Sequence, residues 1–361
     1  MDSRIIVAHN VPSHKGDDFY ESSQDVLVQV EAVEESIRRL EYEPIRIPFT
    51  RDYQGIVRRI RDAGSMMVFN LCETVEEDPR MSWQPPALFE HIGVSFTGSS
   101  GNAVLLTTDK LITKRFLSAS GVRTPQYLLY DGVIPQKITA MRFPLIAKPR
   151  FEDASIGIDQ ESVFVSETDM TSRLPEMFDR FGQMIVEEYI EGDEFNISIF
   201  GHPAPQTLPV ARIEFQDYPE NLFRIVGYRA KWDETSFEFH NSSRTFPGNL
   251  DAHLVGNLEQ TSLYCFRLFG LRDYGRIDVR VDTEGRINVL EVNANPCLSP
   301  DAGFPAAVKE SSMSYDDMVK SFIGFMTCRR SQSMYKKRNG IKTDSMGGES
   351  FEHTNKSMTC I

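Results

Sequence analysis

The sequence has no apolar run approaching the roughly 20 residues that a helix needs to span a bilayer, and no C-x-x-C pair. Its five cysteines (Cys72, Cys265, Cys297, Cys328 and Cys360) are odd in number and scattered, which argues against a disulfide framework and a structural zinc site. Positive charge is also short: 39 Lys and Arg against 52 Asp and Glu leave a formal net charge of −13. Such a surface repels phosphate backbones and anionic lipid, so nucleic-acid or membrane binding is not expected. The opening residues Met1–Ala8 lead into a short apolar strand and lack a secretory h-region. A soluble, cytoplasmic protein is the expectation. With 361 residues, 40% of them hydrophobic, the chain can bury a sizeable core in two or three subdomains.

What is present first is alternation of strand and helix. Residues 4–8 read as a strand, and Val26, Val30, Val33, Ile37 and Leu40 recur at helical spacing over Asp25–Leu40. A strand at Ile45–Ile47, a helix at Tyr53–Ala63 and a strand at Met66–Leu71 continue the pattern and predict a parallel sheet in a domain ending near residue 100. Asp109 to Ser120 reads as a helix. A small α+β unit follows: a strand at Leu145–Lys148, a polar loop at 152–157, a strand at Ser162–Val165 and a helix at Thr168–Arg180. From Met184 come a strand–turn–strand, a helix near Leu250–Leu268 and a closing helix at Ala306–Arg330. The last thirty residues are polar and aperiodic and read as a disordered tail.

The chemistry is concentrated between Arg276 and Pro296. Two alternating strands, holding Arg276-Ile277-Asp278-Val279-Arg280 and Val289-Leu290-Glu291-Val292-Asn293, flank the polar connection Asp282-Thr283-Glu284-Gly285. Residues two apart share a strand face, so pairing the strands can gather Asp278, Glu291 and Asn293 at one point. Two carboxylates and an amide oxygen suit magnesium holding a nucleotide phosphate, and Arg276 beside them can stabilise a transferring phosphoryl group. Solvated acids on a hairpin are the ordinary alternative. Here, however, Glu291 sits inside Val-Leu-Glu-Val, where a lone buried carboxylate is costly.

This pattern resembles the end of the ATP-grasp domain, most closely in D-alanine–D-alanine ligases and related carboxylate–amine ligases, from about Arg4 to Arg330. The resemblance implies an α/β and α+β protein with the ATP-grasp fold and an N-terminal Rossmann-like domain. The expected units are residues 1–100, 101–185 (the lid subdomain) and 186–330 (the metal subdomain), with 331–361 as the tail. It further implies that Lys148, in a Lys-Pro pair, and Lys110, in an Asp-Lys pair, contact ATP phosphates. Ser155 belongs to the lid loop. Glu187 with the backbone of Glu188 and Ile190 reads adenine, and Glu194 binds the ribose hydroxyls. Lys231, in Tyr228-Arg229-Ala230-Lys231-Trp232, approaches the γ-phosphate and the developing acyl phosphate; Lys231 and Arg276 are the expected catalytic residues.

The likeness thins at the substrate end. Cys297 stands where those ligases have glycine, and Ala302 near the serine that receives the second D-alanine carboxylate. Gln24 or Asp25 falls nearest to the first-substrate carboxylate. No histidine lies near Cys297 in sequence, so it reads as a small buried thiol, while Trp232 reads equally as a pocket edge or a core indole. The expectation is an ATP-dependent ligase that joins a carboxylate to an amine, such as amino acids or dipeptides, with ATP and magnesium (or manganese) and releasing ADP and phosphate. The assembly allows a homodimer. The alternatives are a true D-alanine–D-alanine ligase, a non-catalytic ATP-binding regulator and a small-molecule kinase.

Overall fold

A computed structural model describes residues 3–13, 18–134, 138 and 140–338 of the chain. The first hundred residues give β1 (Arg4–Asn10), α1 (Tyr20–Arg39), β2 (Glu43–Phe49), α2 (Tyr53–Ala63), β3 (Met67–Leu71), α3 (Gln84–Ile92) and β4 (Ser95–Phe96). The strands pair in parallel in the order β2-β1-β3-β4. β1 and β3 are almost uninterruptedly apolar because helices cover both faces of the sheet. Val30, Val33 and Ile37 of α1 pack on Ile5 and Val7; Ile56 and Ile60 of α2 and Phe89 of α3 pack on Ile6 and Ala8. The ends of α2 are set locally. Asp52 accepts the Gly55 N–H at 2.9 Å, and Gly64 takes the left-handed conformation (φ 64°) that stops the helix.

α4 (Gly101–Thr108) and α5 (Lys110–Ala119) meet at Asp109, which caps α5 by accepting from Leu111 and Ile112. Next, β5 (Tyr127–Tyr130), β6 (Leu145–Pro149), β7 (Val163–Phe164) and β8 (Met184–Glu188) form an antiparallel sheet in the order β5-β8-β6-β7. Leu145, Ala147 and Val186 face α6 (Glu167–Phe181), which precedes β8, and Met170 and Leu174 of that helix close a separate core. The alternate residues Lys148 and Glu187 therefore face the other way.

The largest sheet joins β9 (Gly192–Gly201), β10 (Gln206–Thr207), β11 (Ala211–Phe215), β12 (Ser242–Thr245), β13 (Asp273–Asp282) and β14 (Ile287–Asn293) in the order β12-β11-β9-β13-β14, with β10 on β9. Between β11 and β12 run the short helices α7 (Tyr228–Trp232) and α8 (Phe237–Asn241), and α9 (Ala252–Leu268) precedes β13. Phe195, Ile197, Ile277 and Val279 pack against Leu258, Cys265 and Phe266 of α9. Their neighbours Glu194, Asn196, Arg276, Asp278 and Arg280 line the opposite, open face.

The closing helix expected at Ala306–Arg330 is two helices, α10 (Gly303–Glu310) and α11 (Tyr315–Arg338). Between them Ser312 adopts a positive φ of 68°, which no continuous helix allows. The expected tail also starts too early, because α11 runs on to Arg338; residues 339–361 lie outside the described residues. No helix among the described residues is long and apolar enough to cross a membrane. α11 returns to the first sheet, where Met318, Phe322, Ile323 and Met326 join the core of Ile5, Val7 and Phe69. Arg329 pairs there with the wholly buried Asp273 (2.8 Å to Oδ2) and donates to the Phe96 carbonyl at 2.6 Å.

Phe322 is fully buried, its ring centroid 5.5 Å from Phe69, 5.2 Å from Phe200 and 4.9 Å from Tyr274. Phe322→Ala should lower the unfolding free energy by about 3–5 kcal/mol, read from urea denaturation. A loss below about 1 kcal/mol, the ordinary effect of a point substitution, would contradict this joint.

Candidate active site

β13 and β14 form the expected hairpin. Arg276 lies opposite Asn293 and Asp278 opposite Glu291, with an irregularity directly after Asp278. Asp282 closes the turn, accepting from the backbone of Glu284 and Arg286 at 3.0 and 2.9 Å. Arg276 and Asp278, two residues apart on one face, form a bidentate pair at 2.7 and 2.8 Å. Asn196 of β9 adds a third donor to Asp278 at 2.9 Å. Burial opposes ionisation of Glu291, but the charges of Lys110, Arg276, Lys231 and Lys148 outweigh it and bring the group down to about 2. Asn293 Oδ1 accepts the Asn295 N–H at 2.9 Å. Among the described residues no three His, Cys, Asp or Glu are grouped to hold a metal ion; this donor set is two carboxylates and an amide.

A bank of lysines faces the hairpin. Lys110 Nζ lies 3.7 Å from Glu291 and 3.6 Å from Asp153, and it donates to the Glu152 carbonyl. Burial opposes its charge, yet those three acids hold its pKa above the ordinary value. Glu187 is buried and paired with both Lys148 and Lys114. Burial would raise its pKa; the two ammonium groups pull it below the ordinary range instead. Lys114 is absent from the sequence-based set, although its spacing of four from Lys110 on one helix was the available signal.

At the hinge, the side chain of Glu188 points to the other side of β8, where it accepts from the Arg142 backbone at 2.9 Å and guanidinium at 3.2 Å. Its backbone, with that of Ile190, still borders the cleft. Arg280, also missed from sequence, braces this corner. It donates twice to Glu194 at 3.0 Å, once to the Ile190 carbonyl at 2.8 Å, and stacks 4.9 Å from the Tyr189 ring centre. It continues the Arg276, Asp278 face by one more step of two.

The loop at 152–157 is tied down across the cleft. Ser155 Oγ donates to the Val226 carbonyl at 2.7 Å, and Trp232 Nε1 donates to the Ala154 carbonyl at 3.0 Å. Trp232 is thus a half-buried clamp on the loop and not a core indole. Ala154 and Ser155 both hold positive φ (54° and 63°), a conformation that glycine would adopt without steric cost. Lys231 is open to the cleft, and the protein crowded around it, with the charge of Arg276, lowers its pKa.

Away from the hinge the cleft, of about 770 Å³, turns acidic. Asp25 accepts from Ser299 Oγ at 2.6 Å and from the Cys297 thiol at 3.0 Å, whereas Gln24 turns aside to the Ser13 carbonyl at 3.2 Å. Burial, then Glu73 and Asp25, push the Cys297 thiol far above its usual range, so it is no nucleophile. Glu73, held by Gln29 at 2.9 Å, is pushed up to about 7 by burial and by the charges of Asp25 and Asp153.

Comparison with known proteins identifies the fold and the family. Residues 122–324 match the family model described as the D-ala D-ala ligase C-terminus. An uncharacterized protein, y4sG, of Sinorhizobium fredii is 31% identical over 262 residues, 72% of this chain and 74% of that one. A D-alanine–D-alanine ligase of Thermotoga maritima is 28% identical over 294 residues, 80% and 88% of the two chains. Among solved structures, the D-alanine–D-alanine ligase of Bacillus anthracis complexed with ATP superposes with a TM-score of 0.72 at 19% identity, covering 92% of this chain and 99% of that one. The VanG D-Ala:D-Ser ligase of Enterococcus faecalis gives 0.65, also at 19%, covering 90% and 100%. The fold is therefore that of the ATP-grasp D-alanine ligases. By a family match across more than half its length, the chain belongs to the D-alanine–D-alanine ligase family, whose members are ATP-dependent carboxylate–amine ligases.

Proposed function

We propose that this chain couples a small carboxylate to an amine through an acyl phosphate, and that its substrates differ from a pair of D-alanines. The observation that carries the reading is one cleft in which Lys110, Lys148, Lys231 and Arg276 surround Glu291 and Asp278. Adenine would lie on the hinge beside Glu187 and the backbone of Glu188 and Ile190. Glu194 would accept from the ribose hydroxyls, and Lys110, Lys148 and the Ser155 loop would hold the phosphates. Asp278, Glu291 and Asn293 offer hard oxygen donors, and Glu291 stays ionised, so the set fits magnesium or manganese. Magnesium, when bound there, would neutralise phosphate oxygens.

A carboxylate oxygen would attack the γ-phosphorus while the bond to the ADP oxygen breaks. Lys231 and Arg276 would stabilise the charge that develops on the transferring group. The neutral amine would then attack the acyl carbon, phosphate would leave with the C–O bonding pair, and the amine would lose a proton to solvent. In this scheme the units divide near residues 100 and 185, so that the β5–β8 sheet carries the lid and the large sheet carries the metal donors. A D-alanine–D-alanine ligase proper remains a second reading, favoured by the Thermotoga maritima relative's name.

Glu291→Gln should cut ADP formation by ~100-fold or more, the scale seen when one preorganised charge is removed, while circular dichroism reports an intact fold. Near wild-type ADP formation would contradict the metal assignment.

Calorimetry with ATP, GTP and dATP tests the hinge. ATP should bind best, with dATP weaker by roughly 10-fold for the lost hydroxyl contact to Glu194. Equal affinity for all three would remove the hinge assignment.

Ala302 supplies no hydroxyl to an incoming carboxylate, and Trp232 adds bulk without a phenol at the lid. Incubation with D-alanine, ATP and magnesium should therefore yield little D-alanyl-D-alanine by mass spectrometry. Efficient synthesis would select the second reading, and a phosphorylated acceptor with no amide would instead indicate a kinase.

A further inference from the structure

From β1 the chain passes through α1 to β2 on one side, and α2 brings it back to β3 on the other, so the two helices cover opposite faces of the first sheet. Between two such strands the carboxyl ends open into a crevice, the usual place for a ligand in a parallel sheet. Asn10 ends β1 there, and Cys72 and Glu73 follow β3. Asn10 Oδ1 accepts the Glu73 N–H at 3.2 Å, which fixes the backbone. A second tether runs to the metal hairpin. Asn293 Oδ1 accepts the Asn295 N–H at 2.9 Å, and Asn295 Nδ2 donates to the Cys72 carbonyl at 3.2 Å. Glu73 is therefore held beside the place where the reading above puts phosphoryl transfer, and it lines the same cleft.

Its side chain is held on one side only. Oε1 accepts from Gln29 at 2.9 Å; among the described residues Oε2 accepts no hydrogen bond and the carboxylate forms no ion pair. The charged and titratable groups around it are Asp25 of α1, Asp153 of the loop, the Tyr274 phenol of β13 and the thiols of Cys72 and Cys297. Burial and then, against the Gln29 bond, the charges of Asp25 and Asp153 push Glu73 up to about 7, where a base is most effective at neutral pH. The nearby acids are engaged. Asp25 Oδ1 accepts from Ser299 and its Oδ2 from Cys297 and Gln29, while Asp153 faces Lys110 at 3.6 Å.

An aliphatic amine arrives at neutral pH as an ammonium, which has no lone pair with which to attack. We propose that Glu73 is the general base that takes a proton from the attacking ammonium. This assignment rests on the ligase reading above. One proton passes from the nitrogen to Glu73 Oε2, and the freed lone pair forms the C–N bond while the C–O bond to phosphate breaks with its electron pair. The nitrogen loses its second surplus proton to solvent, and Glu73 then releases its own.

Hydroxylamine isolates this step, because it is mostly neutral at neutral pH and needs no base. Common amino acids of both configurations are first screened with ATP, magnesium and hydroxylamine for a donor that wild-type protein converts to a hydroxamate. That donor is then offered the same amino acids as amines, with phosphate release and product mass read for wild type, Glu73→Gln and Glu73→Asp. Glu73→Gln should lower amide formation by ~100-fold or more, as loss of a positioned base does, and hydroxamate formation by less than about threefold. Glu73→Asp should fall between, since it keeps the carboxylate but draws it back. In wild type, amide formation should rise with pH to about 7 and then level off. In Glu73→Gln it should keep rising toward the amine's own pKa. Undiminished amide formation in Glu73→Gln, or equal loss with both acceptors while circular dichroism reports an intact fold, overturns the assignment. If that variant does not fold, the wild-type profile decides, and a rise that never levels off overturns it. Hydroxamate without amide from any amine in wild type also overturns it. No hydroxamate from any donor overturns the ligase reading itself, and the role of Glu73 falls with it.

Discussion

The ion pair between Arg276 and Asp278 is the constraint around which the rest is arranged. Both side chains stand on one face of β13, two residues apart, with Ile277 between them pointing into the α9 core. Burying a guanidinium and a carboxylate is tolerable only because each satisfies the other, and removing one partner from such a pair costs about 3–5 kcal/mol. Burial opposes the charge of Arg276, but Asp278 holds its pKa above the ordinary value. Glu291 stays ionised opposite them because the charges of Lys110, Arg276, Lys231 and Lys148 outweigh the cost of its burial.

The same alternation explains how much was legible in the sequence. Strict period two suggested that Asp278, Glu291 and Asn293 share one face; in the register Asp278 lies opposite Glu291 and Arg276 opposite Asn293. Tyr53–Ala63 was legible to the residue because Asp52 and Gly64 are local signals. α3 was not, because Pro85 and Pro86 read as breakers, although in a first turn their missing N–H groups have no helical partner to lose. Nor was the break near Ser312, where serine holds a left-handed backbone without a glycine to announce it. Lys110, Lys148, Lys231, Glu187, Glu194 and Glu291 could be named individually, but Lys114 and Glu73 were missed, and the pairings could not be read. Glu187 meets Lys114 across 73 positions and Cys297 meets Asp25 across 272, distances over which no periodicity carries information.

Two walls of the cleft differ in how their charge is held. Near the hinge, Lys114 and Lys148 share Glu187, and Glu194 is locked by Arg280, so the fixed groups are pre-oriented before any ligand enters. At the far end, Asp25 and Glu73 rest on neutral donors from Ser299, Cys297 and Gln29, with no cation bound to them among the described residues. Preorganised ion pairs suit a constant part of a ligand. Acids held by neutral donors suit the part that varies, because an incoming cation adds to them without first displacing another.

The core that joins β1 to α11 also sets an order in time. Ile5 and Val7 share that core with Met318 and Phe322, more than three hundred residues later. At typical synthesis rates that interval is roughly 15–60 s. During it, the inner face of the first sheet has α1 for cover but lacks its last helix, so a nascent chain carries an incompletely sealed apolar surface for most of its time on the ribosome.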